Sequence, residues 1–292
     1  MINPEFNGLL ADPSPLPATK LLHLLRPLIT QAQEQSCDPS SMRLAASGEL
    51  TALEATGRSL AVAEGRLIEG IVTALARQSF NHAVLVGMKL PVLPVAAELA
   101  RRNRLAEYSR LSVDPDSNTR TSYRPDLVLV DRSRRSAIVL DIKRSLGGYN
   151  GSGSLLKLRQ RMEAAACVLP ELLWRDHQRT VVDTVGIAII DASRTCDEID
   201  EGIWGLSRLD ELLSVEGAGA AALATVDAFR QCIKTRWRSA VASENRNQDT
   251  GDPVQEPVED DPVRRACGSA SERKPVRPVT VGIFRPNAKL VH

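Results

Sequence analysis

Two short β-rich runs joined by a polar link constrain the fold of this 292-residue chain more than any other feature. The first run is Asp126 to Val130 and the second is Ala137 to Lys143. Because the link from Asp131 to Arg135 is short and polar, the two runs are predicted to pair as the antiparallel strands of a β-hairpin. The hairpin returns the chain so that Asp126 lies near Asp141.

The open end of this hairpin is predicted to present a compact set of charged side chains. Residues i and i+2 of a strand point to the same face, so Asp141 and Lys143 project together while Ile142 faces the core. Asp126 joins them across the hairpin. Two carboxylates that meet at a sheet surface suit a hard divalent cation, because without the cation their like charges repel.

The rest of the chain alternates between helical and β patterns, which predicts the α/β class. Helical patterns lie around residues 21–29, 47–78, 98–108, 154–169, 199–213 and 226–237, and buried strand patterns lie around residues 84–90 and 181–190. Ser154 is predicted to be the N-cap of the helix that it begins.

Composition places the chain among soluble globular proteins. Hydrophobic residues make up 43% of the sequence and charged residues 25%, which is sufficient for a sizeable core. Aromatic residues are only 3%, which argues against an aromatic base-stacking platform for single-stranded nucleic acid. The formal net charge is +1, but the segment from Arg120 to Arg161 carries ten Lys or Arg against three Asp.

Targeting and redox features are absent from the sequence. Five cysteines without CxxC spacing and four scattered histidines indicate no zinc or disulfide framework, so reduced thiols are expected. The N-terminus lacks a signal-like apolar region, and no apolar run reaches the length of a membrane span. A cytoplasmic protein with no membrane association is therefore expected.

Pro125-Asp126 followed by Asp141-Ile142-Lys143 resembles the motif of the PD-(D/E)xK phosphodiesterase superfamily. That superfamily includes restriction endonucleases, Holliday-junction resolvases and RecB-like exonucleases. The resemblance implies a restriction endonuclease-like core, a mixed four-stranded sheet flanked by helices in the order αβββαβ, here with added N- and C-terminal helices. Pro115-Asp116 and Glu272-Arg273-Lys274 also match parts of the motif, but neither lies in a strand pattern.

Members of the superfamily usually add an acidic residue from the first helix, and Glu54, Glu64 and Glu69 are the candidates here. At about 100° per residue, Glu64 falls near the centre of the apolar face and Glu69 lies roughly opposite it. Glu64 is favoured, because a carboxylate on a packing face needs a metal or a cation as its partner. Glu69 stays open as the alternative, and a structural salt bridge stays open as the role of Glu64.

The resemblance implies a role for each of Asp126, Asp141, Glu64 and Lys143. Asp126 and Asp141 would hold Mg²⁺ or Mn²⁺, with Glu64 as a ligand directly or through water. Lys143 would orient the attacking water or offset the charge that develops on the phosphate. These four residues are the predicted catalytic residues.

Polar side chains near the motif are expected to contact DNA, the basic ones by neutralising phosphates, which gives salt-sensitive affinity. The candidates are Arg124, Arg134, Arg135, Arg144, Arg159 and Gln160. RecB-like members carry a glutamine and a tyrosine four residues apart near this helix, but position 164 is Ala164, so that submotif is absent. Exposed hairpin arginines with no ligand remain an alternative interpretation.

These features together predict a metal-dependent nuclease that acts on DNA as an endonuclease. The alternative is a nuclease-like module that binds DNA or regulates without turnover. Residues 1–46 are expected to form an N-terminal arm and a short helix, and residues 47–240 the nuclease-like domain. Residues 243–292 are expected to form a disordered tail with a basic end, because their composition lacks the apolar content of a core. The tail is a candidate for binding a protein partner, and a homodimer is a candidate assembly.

Overall fold

A mixed sheet of five strands carries the fold in a computed structural model, which describes residues 18–103, 121–149, 153–194 and 202–249. The strands are β1 (His82–Val86), β2 (Leu90–Pro91), β3 (Ser122–Tyr123), β4 (Leu127–Asp131), β5 (Ser136–Lys143), β6 (Thr184–Asp191) and β7 (Ile203–Gly205). The sheet has the order β1-β4-β5-β6-β7, and β2 pairs with β3 separately. Strands β1, β4 and β5 are antiparallel neighbours, whereas β5, β6 and β7 run parallel.

Helices cover both faces of this sheet. They are α1 (Ala18–Ser36), α2 (Pro39–Ala46), α3 (Leu50–Ala76), α4 (Pro94–Arg101), α5 (Ser154–Ala166), α6 (Leu169–Asp176), α7 (Leu209–Leu213) and α8 (Ala218–Asp249). The start of α2 is fixed by Asp38, whose carboxylate accepts the Ser41 amide at 2.7 Å.

Two apolar cores lie on the two faces of the sheet. Leu140 and Ile142 of β5 pack in a core shared with α1, α3 and α8, whereas Ala137 and Val139 pack in a core shared with α4, α5 and α6. Since alternate residues of a strand point to opposite faces, Asp141 projects on the same side as Val139, towards α4, α5 and α6. Helix α1 contributes to the first core, so residues 18–36 pack directly against α3 and α8.

The predicted hairpin is confirmed. Strand β4 pairs with β5 in antiparallel register, with Leu127 opposite Leu140 and Asp131 opposite Ser136. Extension of this register by one residue sets Asp126 opposite Asp141.

The expectation of four strands is wrong, because the sheet has a fifth strand in a segment predicted to be helical. Ile203–Gly205 forms β7, which pairs in parallel with β6 and sets Ile203 opposite Ile189. Pairing with the neighbouring strand outweighs the local helical pattern, which among residues 202–213 is realised in a short 3₁₀ turn and in α7. The coarser expectation, a mixed sheet flanked by helices, is confirmed.

Several helix ends differ from the sequence expectation. Residues 243–249, expected to be disordered, continue α8, at the end of the helix against which α2 packs. The N-cap of α5 is Gly153, with a φ of 64°, rather than Ser154, because glycine adopts this left-handed conformation without strain. The remainder of the predicted tail, residues 250–292 with its basic end, lies outside the described residues.

None of the helices within the described ranges is long and apolar enough to cross a membrane.

Candidate functional site

The open end of the β4–β5 hairpin brings Asp126 and Asp141 together. The Asp126 amide donates to the Leu140 carbonyl at 3.1 Å, and Asp126 Oδ2 accepts the amide of Ile142 at 2.6 Å. The carboxylate therefore serves as the acceptor for an amide of β5 just beyond the end of the β4–β5 pairing, which fixes it beside β5. Asp141 is only 4% exposed. One carboxylate of the pair is thus buried, and the other is anchored to the backbone.

Lys143 completes the set that the sequence predicts. Its Nζ donates to Asp141 Oδ1 at 2.6 Å, a contact between residues that share one face of β5. Burial lowers the pKa of Lys143, but the hydrogen bond to Asp141 and the charges of Asp141 and Asp126 outweigh burial, so its pKa is raised overall. The side chain is 25% exposed, so the charged ammonium can be reached from solvent.

The Asp126 carboxyl group does not ionise freely in this position. The pKa of Asp126 is raised above the usual aspartate range, first by burial and then by the neighbouring Asp141 carboxyl group, while the Ile142 amide and Lys143 act in the opposite direction. Two carboxyl groups held this close disfavour full ionisation unless a cation compensates the charge. The electrostatics of the pair therefore favour a bound cation.

Tyr123 and Arg161 belong to the site but were not among the residues predicted from the sequence. Tyr123 is 6% exposed, and the charges of Asp141 and Asp126 contribute to raising the pKa of its hydroxyl, after burial as the largest cause. The Arg161 guanidinium lies 5.7 Å from the centre of the Tyr123 ring and donates to the Ser122 carbonyl at 2.6 Å. The only sequence signal was that Tyr123 lies just before Pro125-Asp126, because a two-residue strand such as β3 has no recognisable pattern.

Glu64 is held by two arginines. Its Oε1 accepts a hydrogen bond from Arg230 Nε at 2.7 Å, and its Oε2 lies 3.5 Å from Arg144 Nη1. These side chains line a cleft of about 680 Å³ between α3 and α8. The salt-bridge role that the sequence left open for Glu64 is the arrangement observed.

Glu69 is the helix carboxylate within electrostatic range of the site. Burial is the main cause that raises its pKa; Asp141 acts in the same direction and Lys143 acts against it. Glu69 lies about 7.5 Å further along α3 than Glu64, at 1.5 Å per residue. Glu64 was favoured from the sequence because it lies on the side of the helix that faces the sheet. Asp141, however, projects from the sheet face opposite to the one that α3 covers. The position of a carboxylate along α3 therefore says more about its distance from the site than the side of the helix on which it lies.

The predicted DNA-contacting residues divide into two groups. Arg134 and Arg135 lie at the turn of the hairpin, on the order of 15 Å along β4 from Asp126. Arg134 Nε is 3.7 Å from Asp131 Oδ2, and Arg135 Nη2 is 2.9 Å from Asp183 Oδ1. They therefore do not lie beside the carboxylates, because an extended strand separates residues that are close in sequence.

The other predicted contacts lie nearer to the carboxylates. Arg124 is exposed two residues before Asp126, and Arg144 directly follows Lys143. Arg159 and Gln160 are half-buried on α5, where Arg159 lowers the pKa of Glu163 against the stronger effect of burial.

The pair of aspartates fits a small hard cation. Within the parts of the chain that the structure describes, no three His, Cys, Asp or Glu side chains lie close enough together to hold a metal ion. Mg²⁺, however, is commonly bound through one or two carboxylates and keeps several waters, so a complete protein cage is not required. The Tyr123 hydroxyl is buried without a hydrogen-bond partner of normal geometry, and a buried polar group of this kind is commonly satisfied by a water or an ion. Asp126 and Asp141 would hold the ion.

No protein-family model, curated protein or solved structure matches this chain.

Proposed function

We propose that this protein is a divalent-metal-dependent phosphodiesterase of the PD-(D/E)xK type that cleaves DNA as an endonuclease. The observation that carries the proposal is the hairpin end, where Asp126 and Asp141 are opposed on one face and Lys143 Nζ lies 2.6 Å from Asp141. Phosphodiester hydrolysis needs an activated water and a cation at the phosphate, and this set of side chains can provide both once a metal is bound.

The order of elements supports the same proposal. Helix α3, strands β1, β4 and β5, helix α5 and strand β6 occur in this order along the chain, with β2, α4 and β3 inserted between β1 and β4 and α6 inserted between α5 and β6. This is the αβββαβ order that the sequence resemblance implies for a restriction endonuclease-like core, with β7 as an additional strand.

Asp126, Asp141 and Lys143 would have different roles in the reaction. Asp126 and Asp141 hold Mg²⁺ or Mn²⁺, which activates water and stabilises the negative charge on the phosphate. Lys143 stays protonated because the neighbouring carboxylates raise its pKa, so it acts as a cation and hydrogen-bond donor rather than as a general base. Its ammonium orients the water or offsets charge on the phosphate.

Basic side chains near the site supply contacts to DNA. Arg124 and Lys157 are exposed, and Arg161 lies beside Tyr123 at the edge of the site. Such residues neutralise phosphates without reading the base sequence, so binding should weaken steeply as salt rises.

The proposal is tested by incubating the full-length protein with supercoiled, linear and branched DNA in Mg²⁺, Mn²⁺ or EDTA. We expect metal-dependent conversion of supercoiled DNA to nicked or linear forms, and no cleavage in EDTA. Asp141→Asn, purified in the same way, controls for contaminating nucleases. Cleavage that is equal in this variant, or no cleavage of any substrate in either metal, contradicts the proposal.

A DNA-binding or regulatory module without turnover is the second candidate. It is favoured by the arrangement of Glu64, whose two carboxylate oxygens are engaged by Arg230 and Arg144. In that case the two aspartates and Lys143 are an ion-pair cluster at the sheet end. DNA would then bind with a salt-dependent affinity, and no metal would promote cleavage.

A further inference from the structure

The Tyr123 hydroxyl is a buried polar group without a protein partner. The residue is 6% exposed, and its hydroxyl oxygen has no hydrogen bond within the described residues. A buried hydroxyl that loses its bond to water without gaining another costs on the order of 1–3 kcal/mol. Phenylalanine would fill the same place without that cost, so the hydroxyl calls for an explanation.

The surroundings of Tyr123 fix where its hydroxyl lies. Its backbone is held by β3, in which Tyr123 pairs with Leu90, and its ring packs in the core beneath α5. The Arg161 guanidinium lies against the ring at 5.7 Å from its centre. With the ring held on both sides, the hydroxyl faces the Asp141 and Asp126 carboxyl groups. Asp141 is close enough to raise the pKa of the hydroxyl as a hydrogen-bonding neighbour, but the two groups do not meet the distance and angle of a formed hydrogen bond.

We propose that Tyr123 is a positioning residue whose hydroxyl donates a hydrogen bond to an oxygen atom bound beside Asp141. The oxygen belongs to a water on the metal or to a phosphate group of the substrate, and both offer the same acceptor chemistry. This inference rests on the proposed function, because it requires a metal at Asp126 and Asp141. It also explains why tyrosine, rather than phenylalanine, stands in this part of the core.

The test is a Mn²⁺ titration of the full-length protein by calorimetry, without DNA, on the wild type, Tyr123→Phe and Thr56→Val. Thr56 is the matched control, since its hydroxyl is also buried and unpartnered. It lies about 20 Å along α3 from Glu69, at 1.5 Å per residue. The unfolding free energy of each protein is measured in EDTA.

We expect Tyr123→Phe to weaken Mn²⁺ binding by about tenfold to a hundredfold, as loss of a hydrogen-bond partner of a ligand does in metal sites. Thr56→Val should leave the affinity unchanged. In EDTA, Tyr123→Phe should be at least as stable as the wild type, because the hydroxyl has no protein bond to lose. If phosphate supplies the acceptor instead, the affinity for Mn²⁺ alone is unchanged, but Tyr123→Phe weakens binding of uncleaved DNA in Ca²⁺ by a similar factor.

The outcomes separate this inference from the proposed function. A wild type that binds no Mn²⁺ overturns both. A wild type that binds Mn²⁺, with Tyr123→Phe equal to it in Mn²⁺ affinity and in DNA affinity in Ca²⁺, overturns the role of Tyr123 alone. Tyr123→Phe that is less stable than the wild type in EDTA also overturns it, because the hydroxyl would then be bonded within the protein.

Discussion

Asp126 has two interactions that oppose each other in the protein without metal. Its carboxylate accepts the Ile142 amide at 2.6 Å, which stabilises the charged form, yet it is held beside Asp141, which destabilises that form. Burial is the largest effect, and together with the Asp141 carboxyl group it outweighs the Ile142 amide, so the pKa of Asp126 is raised. An arrangement of this kind lowers the stability of the protein unless a cation compensates the charge.

Asp126→Asn should therefore stabilise the protein in EDTA and weaken metal binding. The Asn side chain keeps an oxygen for the Ile142 amide but carries no charge against Asp141. The pKa of Asp126 is raised to about 7, from about 4 for an ordinary aspartate. The unfolding free energy of the wild type should fall as pH rises between these values. Asp126→Asn should therefore become more stable than the wild type over this pH range, by on the order of 1–2 kcal/mol.

Urea unfolding in EDTA at several pH values measures this difference, and Mn²⁺ titration measures the loss of affinity. A variant that is less stable than the wild type near neutral pH would show that Asp126 contributes to the fold rather than to a metal site.

Glu64 and Glu69 should respond differently to neutralisation. Glu64→Gln weakens the ion pairs with Arg230 and Arg144, so we expect a loss of about 0.5–1 kcal/mol of unfolding free energy and unchanged Mn²⁺ affinity. Glu69→Gln removes a charge within electrostatic range of Asp141, so we expect Mn²⁺ binding to weaken several-fold with little change in stability. The reverse pattern in paired titration and unfolding experiments would restore Glu64 as the helix carboxylate.

At the level of single residues, the sequence predicted the positions of those site residues that the geometry of the strands determines. Asp141 and Lys143 share a face because strand residues alternate, and Asp126 faces Asp141 because the hairpin fixes the register. The helix carboxylate could not be chosen in this way, because the choice depends on where α3 crosses the sheet. Tyr123 could not be found either, since its place depends on the contact with α5.

The hairpin is the element on which the site depends, and its turn is closed by Asp131. This residue is 4% exposed, and its carboxylate accepts the Ser133 hydroxyl at 2.6 Å and the Arg134 amide at 2.9 Å. These bonds stabilise the charged form, so the pKa of Asp131 is lowered. The stabilisation is present above the ordinary aspartate pKa and is lost as pH falls through the lowered value.

Asp131→Ala should cost about 1–2 kcal/mol of unfolding free energy, because it leaves the turn amide without its acceptor. Mn²⁺ affinity should be unchanged, since the turn lies at the opposite end of β4 from Asp126. Urea unfolding and titration of the same preparation check both statements. A large loss of metal affinity in a folded variant would mean that the turn and the site are coupled.

Strands and helices that have a strong local pattern of apolar residues were predicted from the sequence, whereas those that depend on contacts with distant segments were not. Strands β4 and β5 are short apolar runs bounded by polar residues, and both were found. Strand β7 has three residues and exists through its pairing with β6, so no local pattern could show it. The continuation of α8 to Asp249 was missed because its polar composition resembles that of a disordered segment, although the residues simply extend a helix against which α2 packs.

For the molecule as a whole, the two faces of the sheet differ in polarity near the site. The face under α1, α3 and α8 is apolar up to Ile142, and the opposite face changes from apolar at Val139 to charged at Asp141. The site thus lies where one core ends: Asp141 is buried, Asp126 is partly exposed, and the exposed residues Arg124 and Arg161 lie two residues before Asp126 and against Tyr123 respectively. Such an edge suits a polyanionic substrate better than an enclosed cavity would.

We propose that Lys143 takes part in phosphodiester cleavage at this edge of the sheet. Affinity for one DNA substrate in Ca²⁺ and cleavage of it in Mg²⁺ or Mn²⁺ should be measured for the wild type, Lys143→Ala and Lys157→Ala. Lys157 is an exposed lysine on α5, so its variant controls for the loss of one positive charge. We expect Lys143→Ala to lower cleavage by at least about a hundredfold with little loss of affinity, because it removes a cation from the transition state. Lys157→Ala should cleave nearly normally. Cleavage by Lys143→Ala at the wild-type rate would contradict the assignment of the site.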